Sequence, residues 1–293
     1  MERLPSLWVD KAMIRLLLSD IDGTLIQYDP KIHKTDVDAI HQLQEHGVQF
    51  GLVTGRDIGF CRHLLTHHNL QADCIVANNG GSLWIQKHKV FEHHMDGEEV
   101  IAIMKQLDAY VGMCHPFICS EEREFFLMKH AYTADAWQSI RKTLAYLGNL
   151  SEEDLLQHLH RTKASVVKIS LYTCNEQTTN ALLPKLQAIF KEYEVLPTSI
   201  DYIEITKKGI HKGNTVCTLM DKLHLKKHEV GVIGDGHNDV PMFSCVEHSF
   251  VMESAQEEVK RHGKRIVKSV AQAVQCVIPV SYTHLRAHET CAD

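Results

Sequence analysis

The chain has no long apolar run, no paired-cysteine motif and no excess of basic residues. No stretch approaches the roughly 20 consecutive apolar residues of a membrane span. Nine cysteines are scattered over 293 residues without a CxxC pair, a pattern of reduced thiols in a cytosol. Cys61, Cys74, Cys217 and Cys245 fall in apolar patterns and read as packing residues. Lys and Arg number 31 against 37 Asp and Glu, a formal net charge of −6, so the footprint of a nucleic-acid binder is missing. The start, Met1-Glu2-Arg3-Leu4-Pro5, lacks the apolar stretch and cleavage site of a signal peptide. Histidines are abundant, 21 in all, with neighbours at His67-His68, His93-His94 and His158/His160. They lack Cys or acidic companions at zinc-ligand spacing. These absences predict a cytoplasmic protein with no nucleic acid and no membrane among its partners.

What is present is a repeated device. The apolar run Ile14-Arg15-Leu16-Leu17-Leu18-Ser19 reads as a buried strand and leads into Asp20-Ile21-Asp22-Gly23-Thr24-Leu25. Val48 to Val53 leads into Thr54-Gly55-Arg56. Val230 to Ile233 leads into Gly234-Asp235-Gly236-His237-Asn238-Asp239. Ligand sites of open α/β sheets lie beyond the carboxyl ends of such strands. If the three strands are parallel neighbours, Asp20, Asp22, Asp235 and Asp239 meet in one crevice with the Thr54 hydroxyl. Carboxylates so crowded raise one another's pKa unless a divalent cation sits among them, and hard oxygen ligands point to Mg2+ over zinc. Lys212, in Gly209-Ile210-His211-Lys212-Gly213, precedes the helical pattern Val216, Leu219, Met220, Leu223. A lysine at a helix start does not suit the macrodipole, but it suits an anion held there by ammonium and amides together.

In this order, DIDGTL, TGR, GIHKG and GDGHNDVPMF resemble the haloacid dehalogenase-like (HAD) phosphohydrolase superfamily. More narrowly they resemble its Cof-type branch (subfamily IIB), in which a large cap is inserted between the second and third motifs. The likeness spans roughly Met13 to Pro279. Asn78-Asn79-Gly80-Gly81 is similar to the Asn-Gly segment that precedes the cap, with Gly81 where the family has Ala. The resemblance implies that Asp20 is the nucleophile forming an aspartyl-phosphate and that Asp22 is the general acid and base. It implies that Thr54, Gly55 and Lys212 hold the phosphoryl group. Asp20, the Asp22 backbone carbonyl and Asp235 would bind Mg2+, with Asn238 and Asp239 supporting that shell and orienting Lys212. His237 receives no catalytic role. The implied partner is a small-molecule phosphate ester, with sugar phosphates ahead of phosphorylated cofactors. A phosphomutase acting on sugar phosphates and a non-catalytic metabolite-binding regulator are the alternatives, the first separable by product analysis.

Strands alternating with helices predict an α/β, doubly wound Rossmann-like parallel-sheet core with an inserted α+β cap domain of the C2B type. The expected boundaries are 13–83 and 204–280 for the core and 84–203 for the cap. Residues 1–12 read as an N-terminal extension and 281–293 as a non-native tail. Thr35 and Ser254 are expected to open capping boxes and Ser269 to cap the last helix. In the cap, Leu83-Trp84-Ile85 with Val90-Phe91-Glu92, and Phe117-Ile118-Cys119 with Phe125 to Met128, read as hairpins. Val100, Ile103, Met104 and Leu107 mark a helix, as do Trp137, Ile140, Leu144 and Leu147. Val166 to Leu171 reads as a strand before a helix through Leu182, Leu186 and Ile189. Cap aromatics are expected in the cap's own core, and His115, Arg123 and Lys163 are candidates to touch the substrate.

Overall fold

The computed structural model describes residues 14–27, 31–120, 124–127, 148–150, 157 and 166–278. The first part of the core carries β1 (Leu16–Ser19), α1 (Lys34–Glu45), β2 (Gln49–Val53), α2 (Ile58–His67), β3 (Cys74–Ala77), β4 (Ser82–Ile85) and β5 (His88–Glu92). The insertion carries α3 (Gly97–Leu107), β6 (His115–Ser120), β7 (Glu124–Leu127), β8 (Gly148–Leu150), β9 (Val166–Tyr172), α4 (Glu176–Ile189), β10 (Tyr193–Ser199) and β11 (Tyr202–Lys207). The core resumes with α5 (Lys212–Leu223), β12 (Val230–Gly234), α6 (Val240–Phe243), β13 (His248–Met252), α7 (Glu257–Lys260), β14 (Arg265–Val267) and α8 (Val270–Val277). Among the described residues no helix is long and apolar enough to cross a membrane.

The core sheet runs β14-β13-β12-β1-β2-β3-β4-β5, parallel from β14 to β3. Alternation along β1 shows why both faces are covered. Leu17 joins Ile40, Leu43, Leu64 and Val274 on one face, whereas Leu16 and Leu18 join Val216, Leu219 and Phe243 on the other. Side chains of a strand alternate between faces, so an unbroken apolar run demands helices on both. This is the doubly wound core that the sequence pattern predicts.

The cap sheet runs β10-β11-β9-β6-β7-β8. Its inner face packs Ile169, Leu171, Ile203 and Ile205 against Val100, Ile103, Leu182 and Leu186 of α3 and α4. The register places Phe117 opposite Ser170, His115 opposite Tyr172, and Glu204 opposite Ser170. The face away from the helices therefore carries His115, Phe117, Lys168, Ser170, Tyr172, Tyr202 and Glu204. The rings of Tyr172 and Tyr202 are 5.2 Å apart, and those of Phe117 and Tyr202 6.2 Å. Phe190, Tyr110 and Tyr193 join the cap's core as expected, whereas Phe117, Tyr172 and Tyr202 stand on the face away from it. Only alternation relative to the helices decides a side chain's face, and hydrophobicity alone does not reveal it.

Three local expectations also change. The hairpin β4–β5 pairs onto β3 and extends the core sheet, although its sequence from Trp84 onward is expected in the cap, 84–203. β11, assigned from Glu204 onward to the core segment 204–280, pairs with β9 and β10. Strand patterns announce strands but not their partners. Finally, neither Thr35 nor Ser254 caps a helix. The N-cap residues are His33 and Gln256, neither with a side-chain cap bond. Asp36 instead turns inward and accepts from the Ala271 amide at 2.7 Å, while Ser269 caps Gln272 as expected. Asp36 from a distant segment and Ser269 at the helix's own N-cap thereby satisfy orphan amides of α8. The helix read from Trp137 to Leu147 lies outside the described residues.

Candidate active site

The ends of β1, β2 and β12 bring the predicted polar clusters together. The register Leu18↔Val232 and Leu18↔Gly51 sets the three strand ends side by side. Asp20 follows β1 directly and is buried. Lys212, the first residue of α5, reaches across from below the second face of the sheet, and its side chain is fully buried. Its Nζ lies 2.8 Å from Asp20 Oδ1 and 2.7 Å from Asp239 Oδ1. Asp239 is held from its other oxygen, Oδ2, by the amides of Asp235 and Gly236, each at 2.9 Å. Asp235 Oδ1 accepts from the Thr24 hydroxyl at 2.7 Å.

Glycine at position 23 is what lets the two acidic loops touch. Its φ is +80°, and a Cβ there would sit 2.1 Å from Asp235 Oδ2. Any larger residue would push Asp235 out of the cluster, so the Gly of DxDGT has both a conformational and a steric reason.

Three carboxylates around one ammonium leave the cluster rich in negative charge. Burial, then the Asp239 charge, push Asp20 well above the usual carboxylate range, against the pull of Lys212. Burial and Asp239 raise Asp235 to about 6, with Thr24 and Lys212 opposing. Burial would lower Lys212, but Asp20 and Asp239 outweigh it and hold the ammonium charged. Carboxylate oxygens of Asp20, Asp235 and Asp239 lie within 4.8 Å of one another. Asp239 has both oxygens engaged, by Lys212 and by two amides. Among the described residues no hydrogen bond engages Oδ2 of Asp20 or of Asp235. An all-oxygen set with excess negative charge fits a hard divalent cation such as Mg2+.

The second cluster sits beside the first. Thr54, buried at the end of β2, accepts the Arg56 amide on Oγ1 at 3.1 Å. Arg56 then turns its guanidinium onto Asp22, with Nε 2.9 Å from Oδ2 and Nη2 2.7 Å from Oδ1. Asp22 is half exposed. Burial would raise its pKa, but the Arg56 hydrogen bonds and charge, helped by Lys212 and Lys168, bring it below the usual value. The Gly55 carbonyl accepts from Lys168 Nζ at 2.8 Å. Asn238 Nδ2 donates to Asn79 Oδ1 at 2.9 Å, and among the described residues no hydrogen bond joins Asn238 to Lys212. His237 lies outside the cluster against Gln256.

Comparison with known proteins adds to this geometry. The sequence profile of the haloacid dehalogenase-like hydrolases matches residues 17–277. The chain belongs to this family. A Streptococcus pyogenes protein provisionally named a phosphatase is 26% identical over 269 residues, covering 87% of this chain and 93% of that one. The 5-amino-6-(5-phospho-D-ribitylamino)uracil phosphatase YcsE of Bacillus subtilis is 24% identical over 267 residues, covering 89% and 95%. Among solved structures, the subclass IIB sugar phosphatase BT4131 superposes with a TM-score of 0.70 at 19% identity, covering 88% of this chain and 95% of that one. The chain is thus a HAD hydrolase of the Cof type, and it shares its fold with that subclass IIB protein.

Several residues at this HAD site escaped the sequence reading. Arg56 was legible only as part of TGR, and its fork onto Asp22 depends on a loop geometry that no spacing reveals. Lys168 and Glu204 did leave a trace: each interrupts an apolar strand, Val166-Val167-Lys168-Ile169 and Ile203-Glu204-Ile205. Lys and Glu are almost never buried without partners, so such interruptions flag a pair. Of the cap candidates, His115 lies on the outward sheet face beside Tyr172, and burial lowers its pKa. Arg123 and Lys163 lie outside the described residues. Cys61 and Cys74 are buried as expected, while Cys217 and Cys245 are half-buried with their Sγ atoms 2.9 Å apart.

Proposed function

We propose that the chain is a Mg2+-dependent phosphatase of small phosphorylated metabolites, acting through an aspartyl-phosphate on Asp20. The observation that carries this reading is Lys212 clamped between Asp20 and Asp239 at the strand ends, with Asp235 adjoining. A carboxylate fixed beside an ammonium, in a cluster that calls for a cation, is arranged to meet an anionic phosphorus centre. Asp20, Asp235 and the backbone carbonyl of Asp22 would hold Mg2+. When bound, the ion neutralises charge on the phosphoryl oxygens and on the carboxylates around them.

The chain's own residues supply the rest. An Asp20 carboxylate oxygen forms the bond to phosphorus as the ester P–O bond breaks. Asp22, two residues along on the same loop, gives its proton to the departing alkoxide oxygen. Water then attacks the phosphorus of the acyl phosphate and gives a proton to Asp22. Phosphate leaves and the Asp20 carboxylate returns. Thr54 and Lys212, with the Gly55 amide and the α5 N-terminus, hold the oxygens in place. The Arg56 fork favours the Asp22 carboxylate, the form that accepts a proton in the second step. The first step needs the acid form, so the fork must loosen as the ester enters.

The Bacillus subtilis relative is named for a ribityl phosphate and BT4131 is named a sugar phosphatase, which supports sugar phosphates as the substrate class here. The leaving group would lie against the cap face bearing His115, Tyr172 and Tyr202. The test is a panel of phosphate esters with Mg2+, scored by release of inorganic phosphate. Turnover that stops with a chelator and returns with Mg2+ is expected. No release from any ester, or release indifferent to chelation, would sink the proposal.

A further inference from the structure

A second buried ion pair lies where the cap meets the crevice. Lys168 in β9 and Glu204 in β11 are 3% and 7% exposed, with Nζ 2.6 Å from Oε1. Buried pairs of this kind add little stability over apolar residues of similar size, so stability alone does not explain this one. Its hydrogen bonds run to the core. Lys168 donates to the Gly55 carbonyl at 2.8 Å. That carbonyl shares a rigid peptide plane with the Arg56 N–H, which donates to Thr54 Oγ1 at 3.1 Å. Fixing the carbonyl therefore fixes the direction of the N–H, and with it the orientation left to the Thr54 hydroxyl proton.

The other end of the pair reaches the same turn. Glu204 Oε2 accepts from Asn79 Nδ2. The Asn79 amide donates to the Thr54 carbonyl at 2.9 Å, and its side-chain oxygen accepts from Asn238. Asn79 sits at φ +54° between Asn78 at +52° and Gly80 at +98°, a run of left-handed residues that needs outside support. Ser170 Oγ, 3.3 Å from Glu204 Oε1, adds a further tie within the cap sheet. Both charges thus grip Thr54-Gly55-Arg56, Lys168 directly and Glu204 through Asn79.

We propose that Lys168 and Glu204 are positioning residues: the cap uses them to fix the Gly55–Arg56 peptide and so to aim the Thr54 hydroxyl at the phosphoryl group. This rests on the phosphatase reading and deepens it. The cap then shapes phosphoryl binding itself and not only the choice of leaving group. Apolar residues could fill the same space but could not hold a carbonyl, which gives the pair a reason beyond packing. The contacts join cap to core, so they exist only while the cap sits on the Thr54 turn.

Two variants test this on the ester that the wild type turns over best. Lys168→Met alone would leave Glu204 buried and unpaired, so the first variant is Lys168→Met/Glu204→Gln, which removes both charges. It should melt near the wild type yet lose about tenfold or more in kcat/KM, since misplacement of about 1 Å can cost up to about a hundredfold. Adding Thr54→Val should then cost less in this background than in the wild type, because the hydroxyl is already misdirected. The second variant, Lys168→Arg, keeps the charge pair but displaces the donor from the Gly55 carbonyl, and should lower kcat/KM without lowering the melting temperature. Wild-type kcat/KM in either folded variant, or an equal Thr54→Val penalty in both backgrounds, would overturn the proposal. A wild type that turns over no ester would instead overturn the phosphatase reading, and this inference with it.

Discussion

Among the described residues two buried lysines, Lys212 and Lys168, stand at the crevice, and their surroundings differ in charge balance. Lys212 of the core faces Asp20 and Asp239, with Asp235 adjoining, so three carboxylates surround one ammonium. Lys168 of the cap pairs with the Glu204 carboxylate, donates to the Gly55 carbonyl and lends its charge to Asp22. An over-compensated lysine leaves a negative remainder that a cation or a proton must offset. A matched pair leaves no remainder, and its worth lies in where it holds its neighbours. On the proposed function, the core cluster serves chemistry at phosphorus and the cap pair places the turn beside it.

The largest test of this contrast is Asp20→Asn. The amide keeps the shape and a hydrogen-bonding oxygen but cannot form the acyl phosphate. Turnover should fall by at least about a thousandfold. The melting temperature of the metal-free protein should hold or rise, because one of three crowded carboxylates is gone. A variant with wild-type turnover would erase the distinction between the two lysines, since Asp20 would then be only another partner.

The second test uses pH. In the metal-free protein, burial and then Asp239 raise Asp235 to about 6. The folded protein thus binds its proton more tightly than the unfolded chain does. The stability so contributed is complete below the unfolded pKa near 3.8 and is lost as pH climbs through about 6. Relative to Asp235→Asn, the metal-free wild type should gain up to about 3 kcal/mol between pH 7 and 4, an order-of-magnitude figure for so crowded a group. Saturating Mg2+ should cancel that gain by holding the carboxylate ionised, and should raise the wild-type melting temperature at neutral pH. Paired melts across pH, with and without Mg2+, read this directly. A difference between wild type and variant that stays flat with pH would mean the remainder of charge is absent.

The same contrast explains what the chain disclosed before it was folded. Polar residues of the core stand at the ends of apolar runs, where Asp20, Thr54 and Asp235 each follow a strand. Strand-end chemistry can be read because the sheet rule fixes where such ends meet. Lys168 and Glu204 stand in mid-strand, where a charge has no such rule and its partner is 36 residues away. The fold class followed from alternating strands and helices, but the sheet that accepts each hairpin did not. The β4–β5 pair joined the core because β3 offered it an edge. Capping failed for a similar reason. Thr35 had the right type for a cap, yet the helix begins before it at Lys34, and its neighbour Asp36 accepts a distant amide of α8.

The smallest expected effect lies at the seam between the two regions. Gly81, where the wider family has Ala, leads out of the core loop toward β4, and a Cβ there would lie 2.4 Å from Val167 Cγ1 of the cap. Its backbone is ordinary, φ −65° and ψ −27°, so an added methyl meets a steric neighbour and no conformational penalty. Gly81→Ala should therefore destabilise by about 1–3 kcal/mol, the range of overpacking, because the buried Val167 methyl must give way and the Asn78 carbonyl oxygen lies 3.1 Å from the added carbon. Val167→Ala in the same chain should recover most of that loss, measured as a coupling in thermal or urea melts. The charge pair at Lys168 is the next residue along β9, so the effect on kcat/KM reports how rigidly the seam transmits strain. If Gly81→Ala lowers kcat/KM as far as Lys168→Arg does, then cap position rather than the Lys168 donor sets the Thr54 turn. If kcat/KM is unmoved, placement by contact and placement by packing are separate, and the cap exerts its hold through one ammonium.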